Sequence, residues 1–314
     1  MPPALTYIIV IALAAFVIFV PLFTGYQIFI HTLYRNDKRR RTRECTDNSI
    51  AGQKEMFRQG IEWREQRKDR ITELHLVSDG LNLYGEYMDL GFDRCAVIIQ
   101  GRTESLLYSY YFADAYARAG YNILTYDTRA HGLSDGKYIT AGVTEYRDLL
   151  KWIDLIKERF AIKSFTVHGV CIGGATAVYA YCASKDKGLI KKLVTDGLFV
   201  NYYDIFRRHM TELKKPVLFF VHLTFLYARL CSGASIMSMT PYKSMPDIDI
   251  PILFIWSVKD NYCAEENNKR LFDACASSRK EIALFPEGRH SFVRYCNTEA
   301  YDRTLAGFLA RNDD

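Results

Sequence analysis

The stretch SFTVHGVCIGG, from Ser164 to Gly174, constrains what this chain can become more than any other. An apolar run reads as a strand, stops at Gly169-Val170-Cys171-Ile172-Gly173, and gives way to a helix-compatible run. The residue at the centre of so tight a strand-to-helix turn carries a strained backbone conformation. Side chains two positions before and after it would collide. Gly169 and Gly173 leave that room, and Gly174 lets the helix approach the sheet. The turn also sets Cys171 at a helix N-terminus, where free N–H groups and the helix dipole favour a thiolate.

The turn lies midway through a β–α alternation. Two alternating runs, ITELHLVS and LNLYGEYM, flank Asp79-Gly80, which is a hairpin signal. Short apolar runs follow at Ala96–Gln100, Tyr121–Asp127, Ser164–Gly169, Lys192–Asp196, Ile252–Trp256 and Glu281–Phe285. Helix-like segments lie near Glu104–Ala119, Val143–Arg159, Ile172–Ala183, Ala264–Ala276 and Thr298–Ala310. The pattern predicts an α/β domain over residues 71–314, with a mostly parallel central sheet and helices on both faces. Between Phe199 and Pro246 the alternation breaks at an aromatic and aliphatic segment that includes PVLFFVHLTFLYARL. His222 and Arg229 interrupt it, and it is too short for a membrane span. It reads as a helical lid, residues 199–246, over the sheet edge where open α/β sheets bind ligands, or as helices packed for stability alone.

No Asp, Glu, Lys or Arg precedes Arg35, and residues 5–30 are apolar almost throughout. That length meets the roughly 20 residues needed to cross a bilayer, and a kink at Pro21 is tolerated there. A cleaved signal peptide would want a basic start and an apolar run of only about 7–15 residues. The expectation is a single-pass N-terminal transmembrane helix. Arg35, Lys38, Arg39, Arg40, Arg41 and Arg43 follow it. The positive-inside rule places this cluster, and the domain behind it, in the cytoplasm against anionic headgroups. Residues 35–70 read as a basic juxtamembrane linker, in which Ser49 caps a helix running to about Arg70. The net charge of +5 arises in that linker, so no nucleic-acid surface is indicated. The eight cysteines are scattered singly, with no CxxC pair and no metal-ligand spacing, as in a reducing compartment. Neither a metal nor a cofactor is expected.

From about Ile71 to Leu309 the chain resembles the α/β-hydrolase superfamily, in particular membrane-anchored, lid-bearing members similar to serine aminopeptidases and acyl-ester hydrolases. The resemblance is carried by IIQGRTES (98–105), YDTRAHGLSDGKY (126–138), VHGVCIGG (167–174), PILFIWSVKD (251–260) and PEGRHSF (286–292), in the family's order. VHGVCIGG is then the nucleophile elbow G-x-S-x-G with cysteine in place of serine. The resemblance implies a triad of Cys171, Asp260 and His290, with Asp196 as the alternative acid. It implies an oxyanion hole from the backbone N–H groups of Ile172 and Arg102. The family's His-Gly is here Gln100-Gly101. Asp127, Arg129, His131, Gly132 and Ser134 match a segment that shapes a loop beside the site and are read as structural.

The implied chemistry is hydrolysis of an ester, thioester or amide through an acyl-cysteine. The apolar lid and the tether suggest a small acyl substrate, lipid-like or otherwise apolar, and an apolar lid also suits a peptide side chain. A cysteine thiolate is the better nucleophile near neutral pH and also the better leaving group. A binding protein without turnover and an acyltransferase are therefore the alternative readings.

Overall fold

The hairpin turns on Asp79 and Gly80, both at positive φ (51° and 77°), as a two-residue hairpin loop requires. It joins β1 (Ile71–Ser78) to β2 (Leu81–Met88), and six more strands complete one sheet. These are β3 (Arg94–Ile99), β4 (Asn122–Tyr126), β5 (Ser164–Val170), β6 (Ile190–Asp196), β7 (Ile252–Ser257) and β8 (Lys280–Phe285). The computed structural model describes residues 3–35, 51–217 and 219–312. The strand order is β1-β2-β4-β3-β5-β6-β7-β8, antiparallel at β1/β2 and β2/β4 and parallel elsewhere.

The helices in chain order are α1 (Pro3–Thr32), α2 (Ala51–Glu65), α3 (Leu106–Ser109), α4 (Ala113–Arg118), α5 (Glu145–Phe160) and α6 (Ile172–Ala183). After them come α7 (Tyr202–Glu212), α8 (Phe220–Ser232), α9 (Glu265–Ala274), α10 (Val293–Cys296) and α11 (Thr298–Arg311). Helix α5 packs on α6 at one face of the sheet, and α4 on α11 at the other. The central strands β3, β4, β5 and β7 are buried almost end to end, as parallel strands covered on both faces must be. In register, Ile99 pairs with Gly169, Val170 with Asp196, and Asp196 with Ile255. Strands β3, β5, β6 and β7 therefore end at one edge, and the loops leaving them meet there.

Two elements differ from the sequence expectation. The helix expected over 104–119 is broken into α3, a 3₁₀ turn (Tyr110–Phe112) and α4. The cause is α2, whose Gly60 lies so close that a Cβ there would meet the Leu107 carbonyl at 2.5 Å and the Tyr111 nitrogen at 2.9 Å. Helix α2 is in turn no solvated linker. It buries Met56 and Phe57, and its Arg64 clamps the fully buried Glu86 at 2.7 and 2.9 Å. It ends at Glu65, short of Arg70, where a 3₁₀ turn (Lys68–Arg70) takes over. The expected cap at Ser49, the cysteine at Cys45 and the basic residues Lys38, Arg39, Arg40, Arg41 and Arg43 lie outside the described residues.

Helix α1 has a mean hydropathy of 2.7 over its most apolar window. Every residue from 3 to 20 is exposed, while Gly25, Ile28, Phe29 and Thr32 are buried against the domain. The chain leaving it is stitched down, with Arg35 N donating to Lys137 O at 2.7 Å and Ile139 N to Leu33 O at 2.8 Å. Arg35 itself differs from the reading that placed it against headgroups. Its guanidinium is buried and donates to the carbonyls of Ser134 (2.6 Å) and Gly132 (2.8 Å).

Candidate active site

Cys171 follows β5 directly and precedes the first residue of α6, at φ 54° and ψ −112°. A non-glycine residue holds such a conformation only where its surroundings over-determine it, at a cost of roughly 1–3 kcal/mol. The surroundings here are backbone. A Cβ on Gly169 would meet Gly173 C at 2.1 Å, and one on Gly173 would meet Ile99 O at 2.6 Å. Cys171 N donates to Asp196 O at 2.8 Å, which ties the turn to the end of β6. Ile172, as the first helical residue, has a backbone N–H with no carbonyl one turn behind it. The loop after β3 brings Gly101 and Arg102 alongside, with the Cβ position of Gly101 only 3.7 Å from Cys171 Cβ.

Asp260 and His290 come from the loops after β7 and β8. His290 Nδ1 and Asp260 Oδ2 are 2.9 Å apart, with the two side chains 7% and 0% exposed. The other carboxylate oxygen, Oδ1, accepts from the backbone N–H groups of Tyr262 and Cys263, each at 2.8 Å. Burial opposes ionisation of Asp260. The charge and hydrogen bond of His290, with the two N–H donors, outweigh it and hold the carboxyl below its ordinary value. Burial likewise disfavours a charged His290, yet Asp260 and then Cys171 raise the imidazole well above its usual range. Its Nε2 is buried and has no hydrogen-bond partner among the described residues. No hydrogen bond among the described residues joins it to the Cys171 thiol. Both residues line one cavity of about 610 Å³, a size suited to a small organic ligand.

No hydrogen bond among the described residues joins Asp196, the alternative acid, to His290. Asp196 is fully buried and accepts from Tyr301 Oη at 3.0 Å, and burial pushes it up to about 7. A carboxyl whose folded value is raised binds its proton more tightly folded than unfolded, so stability falls as pH rises from about 4 to about 7. The Asp196→Asn variant is expected to flatten the dependence of melting temperature on pH across that window. An unchanged slope would show that Asp196 does not titrate there.

The loop segment read as structural behaves as such. Asp127 accepts from Leu106 N (2.8 Å) and Leu133 N (2.9 Å), and Arg129 forms a bidentate pair with Asp148 (2.7 and 2.6 Å). Ser134 Oγ donates to Asp127 O, and Gly132 leaves room for the Asp127 carboxylate. His131 Nε2 lies 2.6 Å from the Arg102 carbonyl and so braces the loop beside Cys171. Gln100, which stands where the family has histidine, is buried with neither amide atom bonded among the described residues.

The family model of the alpha/beta hydrolase fold matches residues 97–229. The Bacillus subtilis protein YqkD is 26% identical over 220 residues, which is 69% of this chain and 72% of that protein. The membrane protein YNL320W of Saccharomyces cerevisiae is 24% identical over 177 residues, 56% of this chain and 57% of its own length. The Pyrococcus furiosus esterase Pf2001 superposes with a TM-score of 0.68 at 21% identity, covering 79% of this chain and 93% of that one. This chain has the α/β-hydrolase fold.

Several residues of this site carry no sequence signal. Gly197, at φ 68°, leaves space that a Cβ would take from His290, at 2.9 Å from Cε1 and 3.1 Å from Nδ1. Gly197→Ala is expected to push the imidazole off Asp260 and slow acyl turnover about 10²-fold. Comparing kcat with the melting temperature checks this, since a purely structural glycine would lower only the latter. Arg102 Nη2 lies 3.2 Å from His209 Nε2, whose Nδ1 lies 2.9 Å from Tyr262 Oη. Burial and the Arg102 charge push His209 down to about 4, so it is neutral at pH 7. Donor atoms of Asp260, Cys263 and His290 lie within 4.8 Å of one another, a cluster that linear spacing could not reveal. Cys263 Sγ donates to Gly197 O at 3.4 Å, and burial pushes its thiol up to about 12.

Proposed function

We propose that the chain hydrolyses a carboxylic ester, thioester or amide through an acyl-cysteine formed on Cys171. The observation that carries this reading is the buried Nε2 of an Asp260-bound His290, without a hydrogen-bond partner among the described residues, in the cavity that the strained Cys171 also lines. His290 Nε2 takes the thiol proton as the Cys171 sulfur bonds to the substrate carbonyl carbon. The carbonyl oxygen gains the negative charge, and the backbone N–H groups of Ile172 and Arg102 stabilise it. The tetrahedral adduct collapses, His290 returns its proton to the leaving group, and the acyl-enzyme remains. Water then attacks the thioester with His290 as base, releasing the acid and the thiol. Asp260 keeps the imidazole oriented and stabilises its charged form. The raised value of His290 suits a group that must hold a proton until the leaving group needs it.

Helix α1 is proposed to anchor this domain in a membrane, with the lysines and arginines that follow it placing the catalytic domain on the cytoplasmic side. The test of the chemistry uses the full chain in detergent with a short-chain thiol-acylating ester. Rapid acylation of Cys171, located by mass spectrometry and abolished in His290→Ala, is the expected result. Acylation no faster than at the exposed Cys231 and Cys296 would overturn the reading.

A further inference from the structure

We infer that the tip of the lid, Leu213 to Val217 together with Phe219 and Phe220, is seated at the boundary between headgroups and acyl chains of the bilayer, so that the mouth of the catalytic cavity opens to lipid. The inference rests on the proposed anchoring by α1, and it adds a substrate class to the proposed hydrolysis: acyl lipids that enter from the membrane plane.

The geometry comes from how α8 lies along α1. Gly25 of α1 is so close to α8 that a Cβ there would meet Leu223 Cβ at 2.6 Å, and Thr224 Oγ1 lies 3.4 Å from Gly25 O. Higher on α1, Tyr26 and Phe29 hold the ring of Tyr227, with centroids 5.5 and 6.4 Å away. Partners on both helices thus advance in the same direction, so the two helices run parallel and the N-terminus of α8 points back towards the apolar span. Phe219 precedes Leu223 by four residues, about 6 Å at the helical rise. That places it level with about Pro21, inside the apolar run of α1.

The composition of the tip suits that depth. Phe219 is 49% exposed and stacks on Phe220 at 4.5 Å, and Leu213 is 48% exposed. Between them Lys214 and Lys215 are exposed cations, as expected beside anionic headgroups. Leu213 also lines the catalytic cavity, together with Phe206 and Ile205 of α7, so the apolar wall runs from the tip towards Cys171.

The experiment is fluorescence quenching in phosphatidylcholine vesicles carrying brominated acyl chains, with the full chain reconstituted and wild-type emission subtracted. Three variants place a tryptophan at Phe16 in α1, at Phe219 in the tip, and at Phe92, which is exposed at the opposite edge of the sheet. Phe16→Trp and Phe219→Trp are expected to lose at least about twice the fraction of emission lost by Phe92→Trp. Quenching of Phe16→Trp with Phe219→Trp no different from Phe92→Trp would overturn the inference and leave the anchor standing. An unquenched Phe16→Trp would overturn the anchor, and the inference with it.

Discussion

Replacing Cys171 with alanine is expected to lower acyl turnover by about 10⁴-fold or more while the fold survives. The loss follows because the sulfur is the only atom in the proposed mechanism that bonds to the substrate. Survival of the fold is argued from the backbone. Alanine keeps the Cβ that cysteine already carries, so the change adds no new backbone clash at φ 54° and ψ −112°. Removing one sulfur from a position that also faces the cavity leaves little empty core. Steady-state rates on a short-chain thioester, beside a thermal melt, check both halves. Turnover retained by Cys171→Ala would refute the acyl-cysteine. The companion Cys171→Ser asks which atom the pocket suits. A hydroxyl leaves a tetrahedral adduct less readily than a thiolate but needs a stronger base to attack. Activity gained in Cys171→Ser would show a site shaped for oxygen in which cysteine is the handicap.

Asp260→Asn is expected to cost about 10³–10⁴-fold in kcat with little change in stability. In the native site the carboxylate accepts at both oxygens, from His290 through Oδ2 and from the Tyr262 and Cys263 N–H groups through Oδ1. Asparagine can keep only one of those faces as an acceptor. With its carbonyl retained by the two backbone donors, its amide turns towards Nδ1 and forces the proton onto Nε2. The imidazole then cannot take a proton from Cys171. The charge that raises His290 also disappears, so the protonated form is lost at lower pH than in the native enzyme. The pH–rate profile separates this from simple misfolding, because the limb assigned to His290 moves to lower pH only if Asp260 acts through it. A profile that keeps its shape at reduced amplitude would remove Asp260 from that role.

Much of the architecture was legible in linear order because parallel α/β folds write each unit as a local pattern. The hairpin strands Ile71–Ser78 and Leu81–Met88 and the helix Ile172–Ala183 fall where alternation and glycine placement put them. The broken segment at 106–118 and the packed α2 were not legible. Their conformation depends on a close approach between Gly60 and Leu107, which no window of sequence contains. Arg35 is the same lesson in charge: beside other arginines it reads as a cation set against headgroups, yet three-dimensional proximity buries it on carbonyl oxygens.

For the site, the sequence by itself determined the turn. A Cβ at 169 would meet Gly173 within the same five residues, so the glycine before Cys171 is a local steric requirement, whereas the glycine at 173 also answers to the Ile99 carbonyl of β3. Which carboxylate serves His290 was beyond its reach, because Asp196 and Asp260 both end neighbouring strands. Tertiary structure decided it by distance and dielectric. Asp260 lies 2.9 Å from the imidazole with two backbone donors to keep it charged, while Asp196 is buried against Tyr301 and keeps its proton up to about pH 7.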